Sequence, residues 1–105
     1  MCALRLLADD LTGALDTAAA FAVRAGPLPV FPPGQLPLRL PRSAAVATGL
    51  REQPERAAAH AMRSLASLLA PRPSTLSYLK LDSLLRGHPT IEIAACIRAA
   101  PARGA

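Results

Sequence analysis

Three times along this chain a short apolar run gives way to polar residues and then to sequence of helical period. "CALRLLA" (2–8) precedes "LTGALDTAAAFAVRAG" (11–26), "SAAVATG" (43–49) precedes "PERAAAHAMRSLASLLA" (54–70), and "TLSYLKLD" (75–82) precedes "PTIEIAACIRAA" (89–100). Strands separated by helices cannot be joined by tight hairpins. The alternation therefore constrains the chain to a parallel sheet with crossover helices. Strands near 3–8, 43–48 and 76–81 are expected to be parallel neighbours.

The helical stretches carry their own punctuation. In 11–26 the apolar residues Leu11, Leu15, Ala18, Ala22 and Ala25 share one side, Asp10 or Thr12 suits the N-cap, and Gly26-Pro27 is a stop. In 54–70, Pro54 suits the first turn, and Ala58, Ala61, Met62, Leu65, Leu68 and Leu69 form a helical stripe. His60 lies off that stripe and is expected in solvent. The segment 27–42 holds six of the eleven prolines. It is expected to be irregular apart from a short edge strand at "PVF". The closing "PARGA" is an ordinary frayed tail.

Such a chain builds a thin core. Hydrophobic residues make up 51%, but aromatics are only 3% and alanine dominates the apolar count. Alanine buries little area, so modest stability is expected, with self-association through an unpaired strand edge. The net charge of +5 comes from eleven arginines and one lysine, which are scattered and have no aromatics between them. That pattern argues against a nucleic-acid platform. No stretch approaches the ~20 apolar residues of a membrane span. "MCALRLLADD" is interrupted by an arginine and cut off by two acids, unlike a signal peptide. Cys2 and Cys96 have no metal-ligand spacing, so a reduced, cytoplasmic setting is expected.

In a parallel sheet all strand carboxyl ends lie on one edge, where ligands bind in the crevice between diverging connections. The unusual polar residues fall there. Asp9 and Asp10 follow the first strand, Thr48 and Arg51 the middle one, and Lys80, Asp82, Ser83, Arg86 and Gly87 surround the end of the last. Adjacent carboxylates such as Asp9 and Asp10 repel, so something must use or neutralise them. Helix N-termini favour anions, and Gly13 and Gly87 are expected to let a ligand approach the backbone. The chain contains neither GxxxxGK[ST] nor GxGxxG, and "DDLTG" is not a DxDxT motif.

Two segments, "LLADDLTGALDTAAAFA" (6–22) and "YLKLDSLLRGHPTIEIAACI" (78–97), closely resemble the paired signatures of the four-carbon acid sugar kinase family. Ala8, Asp9, Asp10, Leu11, Thr12, Gly13, Ala14 and Asp16 match its ADDLTGA-D segment. Lys80, Asp82, Ser83, Arg86, Gly87 and Glu92 match its K-x-D-S-T-x-R-G-N segment and the acidic residue of the helix that follows. The sequence departs from the pattern at Leu84 and His88. In the middle segment "ATGLR" (47–51) only Thr48 and Arg51 remain of the family's D-T-x-S-R.

The resemblance implies a three-layer, Rossmann-like α/β parallel sheet with crossover helices. Residues 1–105 would be an incomplete N-terminal domain, with the C-terminal nucleotide-binding domain absent. It implies an ATP-dependent kinase of erythronate- or threonate-type substrates, with this part contributing the sugar-acid site. ATP and magnesium are implied for the family but are not expected to bind this chain alone, which is then not catalytic by itself. Candidate substrate-binding residues are Asp9, Asp10, Thr12, Gly13, Arg51, Lys80, Asp82, Ser83, Arg86 and Gly87. Arg51, Lys80 and Arg86 are the candidate cations for a substrate carboxylate, and Asp10 is the candidate catalytic base. The expected partners are the small sugar-acid substrate and a C-terminal domain or a second copy. The alternative is a non-enzymatic α/β module that binds an anionic metabolite or a partner chain.

Overall fold

The computed structural model describes residues 3–100, so Cys2 and the closing "PARGA" lie outside the described residues. Four strands form one sheet: β1 (Ala3–Ala8), β2 (Val30–Phe31), β3 (Ala44–Ala47) and β4 (Thr75–Lys80). Three helices accompany them: α1 (Leu11–Ala25), α2 (Glu55–Leu65) and α3 (Pro89–Ala99). The strand order is β2-β3-β1-β4, and every pairing is parallel. The expected neighbours are therefore real, with β1 at the centre. Val30–Phe31 is the short edge strand, paired with Ala45 and Val46.

All six residues of β1 are buried because helices cover both faces of the sheet. Leu6 packs with Ala18 and Ala45, and Ala8 with Ala14 and Ala47, beneath α1. Leu7 points the other way, into a cluster with Val46, Met62, Ala66 and Leu69 beneath α2. This alternation is the period of two expected of a strand. Arg5 is buried with the second set. Its Nε donates to the Arg42 carbonyl at 2.9 Å and its Nη1 to the Leu68 carbonyl at 3.4 Å, so the charge is not left unsatisfied.

The buried face of α1 keeps Ala18 from the expected one but turns away from its leucines. Ala14, Thr17 and Ala18 face the sheet, whereas Leu11 and Leu15 are 39% and 49% exposed. Ala22 is half-buried, and the side chain of Ala25 lies outside the described ones. The reason is the sheet surface below, where Ala8, Ala45 and Ala47 surround Leu6. Alanine against alanine lets the helix approach closely, and leucines on that side would hold it off. Asp10, not Thr12, caps the helix: its backbone is extended and Oδ1 accepts from the Gly13 amide at 3.1 Å. At the other end Gly26 adopts φ +78°, which favours glycine.

The expected helix over 54–70 is α-helical to Leu65 and tightens to a 3-10 turn over Ala66–Leu69. Ala58, Met62, Ala66 and Leu69 are buried, while Ala61, Leu65 and Leu68 lie half-buried at the rim. Ala70 is extended, as the residue before Pro71 tends to be. β4 stops at Lys80, so Leu81 and Asp82 already belong to the loop.

β4 pairs only with β1, and its outer edge carries no strand among the described residues. Leu76 and Tyr78 on it are 47% and 38% exposed, Tyr78 being met edge-on by Phe21 at 5.3 Å between ring centroids. Open edges with apolar side chains recruit other chains. Sedimentation velocity on the purified chain should show concentration-dependent association, with a melt below ~65 °C. Leu76→Lys should shift the population towards monomer. A monodisperse wild-type monomer melting above that temperature would contradict the argument.

Candidate functional site

The register sets the geometry. Ala8 is level with Ala47 on one side and Lys80 on the other. The three strands therefore deliver Asp9, Thr48 and Leu81 to one edge. The connection after β1 runs to α1 on one face, and that after β3 to α2 on the opposite face. The crevice expected at such a switch opens here.

Arg51, in the 3-10 turn Leu50–Glu52, ties the edge together. Its Nη2 donates to Asp9 Oδ1 at 3.0 Å and to Asp10 Oδ1 at 3.1 Å, and its Nε lies 3.4 Å from Asp9 Oδ2. The same Nη2 lies 3.5 Å from Asp82 Oδ1. The adjacent acids are thus bridged by one guanidinium, which lowers their mutual repulsion. Hydrogen bonding to Asp9, reinforced by Asp10 and Asp82, raises the pKa of Arg51 further. Arg86 closes on Asp82 through Nε at 2.8 Å and Nη2 at 3.1 Å, and its backbone amide donates to Asp82 Oδ2 at 3.1 Å. These bonds hold the Asp82 carboxyl far below the usual carboxylate range. Thr48 serves the same turn, its Oγ1 accepting from the Leu50 amide at 3.3 Å.

Beside this network lies a cleft of about 200 Å³. Asp10, Thr12, Gly13, Arg51, Lys80, Asp82, Ser83 and Arg86 line it together with Asp16 and Leu81. Eight of the ten candidate residues are therefore in one place. Asp9 is not on the lining: it is 3% exposed and sits behind the cleft as the partner of Arg51. Gly87 is not on it either. Among the described residues, all the hydrogen bonds made to the Asp10 carboxylate fall on Oδ1, which leaves Oδ2 for the cleft. His60 is exposed on α2, as expected.

Both glycines leave room for the protein's own contacts, and Gly13 also lines the cleft. A Cβ on Gly13 would lie 2.6 Å from Asp10 Oδ1, and one on Gly87 would lie 2.6 Å from Asp9 Oδ2 and 3.3 Å from Arg51 Cγ. Gly87 also has φ +84°. Gly87→Ala should therefore destabilise the fold by about 1–3 kcal/mol in chemical denaturation. Gly34→Ala, at φ +78° with nothing within 4 Å of its Cβ position, should cost only about 1 kcal/mol. Equal losses would show that the Asp9–Arg51 contact is not what excludes a side chain.

Glu92 is a site-adjacent acid that the residue types alone did not single out beyond its motif match. It lies in the first turn of α3, 2% exposed, and its Oε2 has no hydrogen-bond partner among the described residues. Burial first, then the nearby Asp9 charge, pushes its pKa up to about 7, with His88 and Arg51 opposing. Cys96, one turn further along α3, is half-buried, and burial and Glu92 push its thiol up as well. Because the Glu92 pKa is raised on folding, its contribution is fully present below about 4.5 and is lost as pH rises through about 7. Denaturation at pH 5 and pH 8 should show wild type losing roughly 2 kcal/mol between them and Glu92→Gln losing far less. An equal loss in both would remove Glu92 as the cause.

A family model described as the sugar-binding N-terminal domain matches residues 4–105. The chain belongs to that family. The match agrees with the motif resemblance at the level of a sugar-binding N-terminal domain. Searches of curated proteins and of solved structures returned no significant match. Among the described residues no helix of this sugar-binding domain is long and apolar enough to cross a membrane.

Proposed function

We propose that this chain is the sugar-acid-binding part of an ATP-dependent kinase of four-carbon sugar acids of the erythronate or threonate type. The observation that carries the reading is the cleft itself. It brings an aspartate with a free oxygen, two hydroxyls and a lysine together at the carboxyl edge of a sugar-binding domain. Its ~200 Å³ is below the roughly 300–1,000 Å³ of pockets for drug-sized ligands, which favours a small polar ligand. The paired motifs at 8–16 and 80–92 narrow the ligand to a four-carbon acid by resemblance.

Asp10 is the group best suited to orient or deprotonate the attacking hydroxyl. Its Oδ1 is held by Arg51 and Gly13, so Oδ2 presents a fixed lone pair to the cleft. Thr12 and Ser83 supply further hydroxyl partners. The residues here do not fit a nucleotide or its magnesium. The Asp10 carboxylate occupies the start of α1, and Asp9 and Asp82 are tied to arginines. ATP and magnesium are assigned instead to a second domain in a cytoplasmic enzyme. Bound there, they supply the phosphoryl group and its charge neutralisation.

Thermal-shift titration of the purified chain tests this reading. Erythronate or threonate should raise the melting temperature and Mg-ATP should not. Mixing chain, Mg-ATP and erythronate should yield no phosphorylated product. Stabilisation by Mg-ATP without stabilisation by any four-carbon acid, or phosphorylation by the chain alone, would overturn it.

A further inference from the structure

Three cations stand at the carboxyl edge, and two are committed to the protein's own acids. Arg51 bonds Asp9 and Asp10, and Arg86 grips Asp82 at two points. Lys80 differs. Its Nζ donates to the Leu81 carbonyl at 2.7 Å, and among the described residues it forms no ion pair. An ammonium carries three donors, so two are left over.

The surroundings of Lys80 aim that remaining capacity at the cleft. It is the last residue of β4, level with Ala8. Its Cγ lies 3.7 Å from where a Cβ on Gly13 would be, so the stem runs alongside the start of α1. The residue also borders a second groove of about 500 Å³, whose lining includes Phe21, Tyr78 and Leu79. The obvious internal partner, Asp82, is already saturated by Arg86 and Arg51.

We infer that Lys80 is the residue that binds the carboxylate of the sugar acid, and so the one that separates a sugar acid from the neutral polyol of the same length. The inference rests on the sugar-acid reading above. Arg51 and Arg86 are then positioning residues that hold Asp10 and Asp82. Asp10, Thr12 and Ser83 face the ligand's hydroxyls. A compact ammonium on a flexible stem suits one end of a small carboxylate, with no demand for two-point geometry.

The test compares erythronate with erythritol by calorimetric titration of the full 105-residue chain. Wild type should prefer erythronate by about tenfold or more, the scale of one charge-assisted hydrogen bond. Lys80→Met should bring that preference to within about twofold, and Lys80→Arg should keep most of it. A second readout needs no variant, because Lys80 is the sole lysine of the chain. Its acetylation, followed by mass spectrometry, should be slowed by erythronate and not by erythritol. An unchanged preference in Lys80→Met, or equal acetylation with and without erythronate while erythronate binds, would overturn the assignment and leave the sugar-acid reading standing. A wild-type chain with no preference for erythronate would overturn both.

Discussion

One guanidinium organises the functional end of this domain. Arg51 reaches it from the turn after β3, and meets Asp9 and Asp10 from the end of β1 and Asp82 from the loop after β4. Three chain segments that share no local sequence are thereby drawn to one charge. The geometry also resolves the repulsion between neighbouring carboxylates: Asp9 and Asp10 turn an oxygen each to the same Nη2. Asp9 is almost fully buried, and a buried carboxylate is tolerated only when it is paired and hydrogen-bonded. The backbone follows the charges. Gly87 passes so near Asp9 and Arg51 that a Cβ has no place there.

The scaffold is suited to holding such a network because the elements around it are packed closely with small residues. Alanines on β1 and β3 face alanines on α1. The start of α1, and with it Asp10, is therefore seated directly on the strand ends. More of the bulk lies on the other face, where Leu7, Met62 and Leu69 fill the space under α2. That arrangement limits the apolar area available to the core, and part of what remains is spent on exposed positions such as Leu76 and Tyr78 on β4. Glu92 adds a destabilising element behind the site, a buried acid that Arg51 and His88 only partly offset.

Much of the fold was legible in the sequence. The alternation of apolar runs and helical stretches implied parallel strands, and the pairings of β1 with β3 and β4 follow it. The short strand at Val30–Phe31 and the end of α1 at Gly26 were equally readable from local chemistry. The buried side of α1 was not. The hydrophobic pattern included Ala18 but also selected Leu11 and Leu15, whereas the surface below took Ala14 and Thr17. The helical stretch up to the prolines at 71 and 73 was readable as well, but its tightening to a 3-10 turn over Ala66–Leu69 was not.

For the site, the sequence by itself determined which residues gather. Placing Asp10, Arg51, Lys80 and Asp82 just after parallel strands requires only that strand carboxyl ends share an edge. Only the tertiary structure decided which of these groups hold one another and which face the cleft. Ion-pair and hydrogen-bond energies fall away over a few ångströms, and sequence spacing carries no information at that scale. Thus Asp9 became a buried clamp, Arg51 and Arg86 were taken by the protein's own acids, and Lys80 was left facing the cleft without an ion-pair partner among the described residues. Glu92 was buried with Oε2 unpartnered among the described residues for the same reason, because burial is a property of the packed chain and not of the residue.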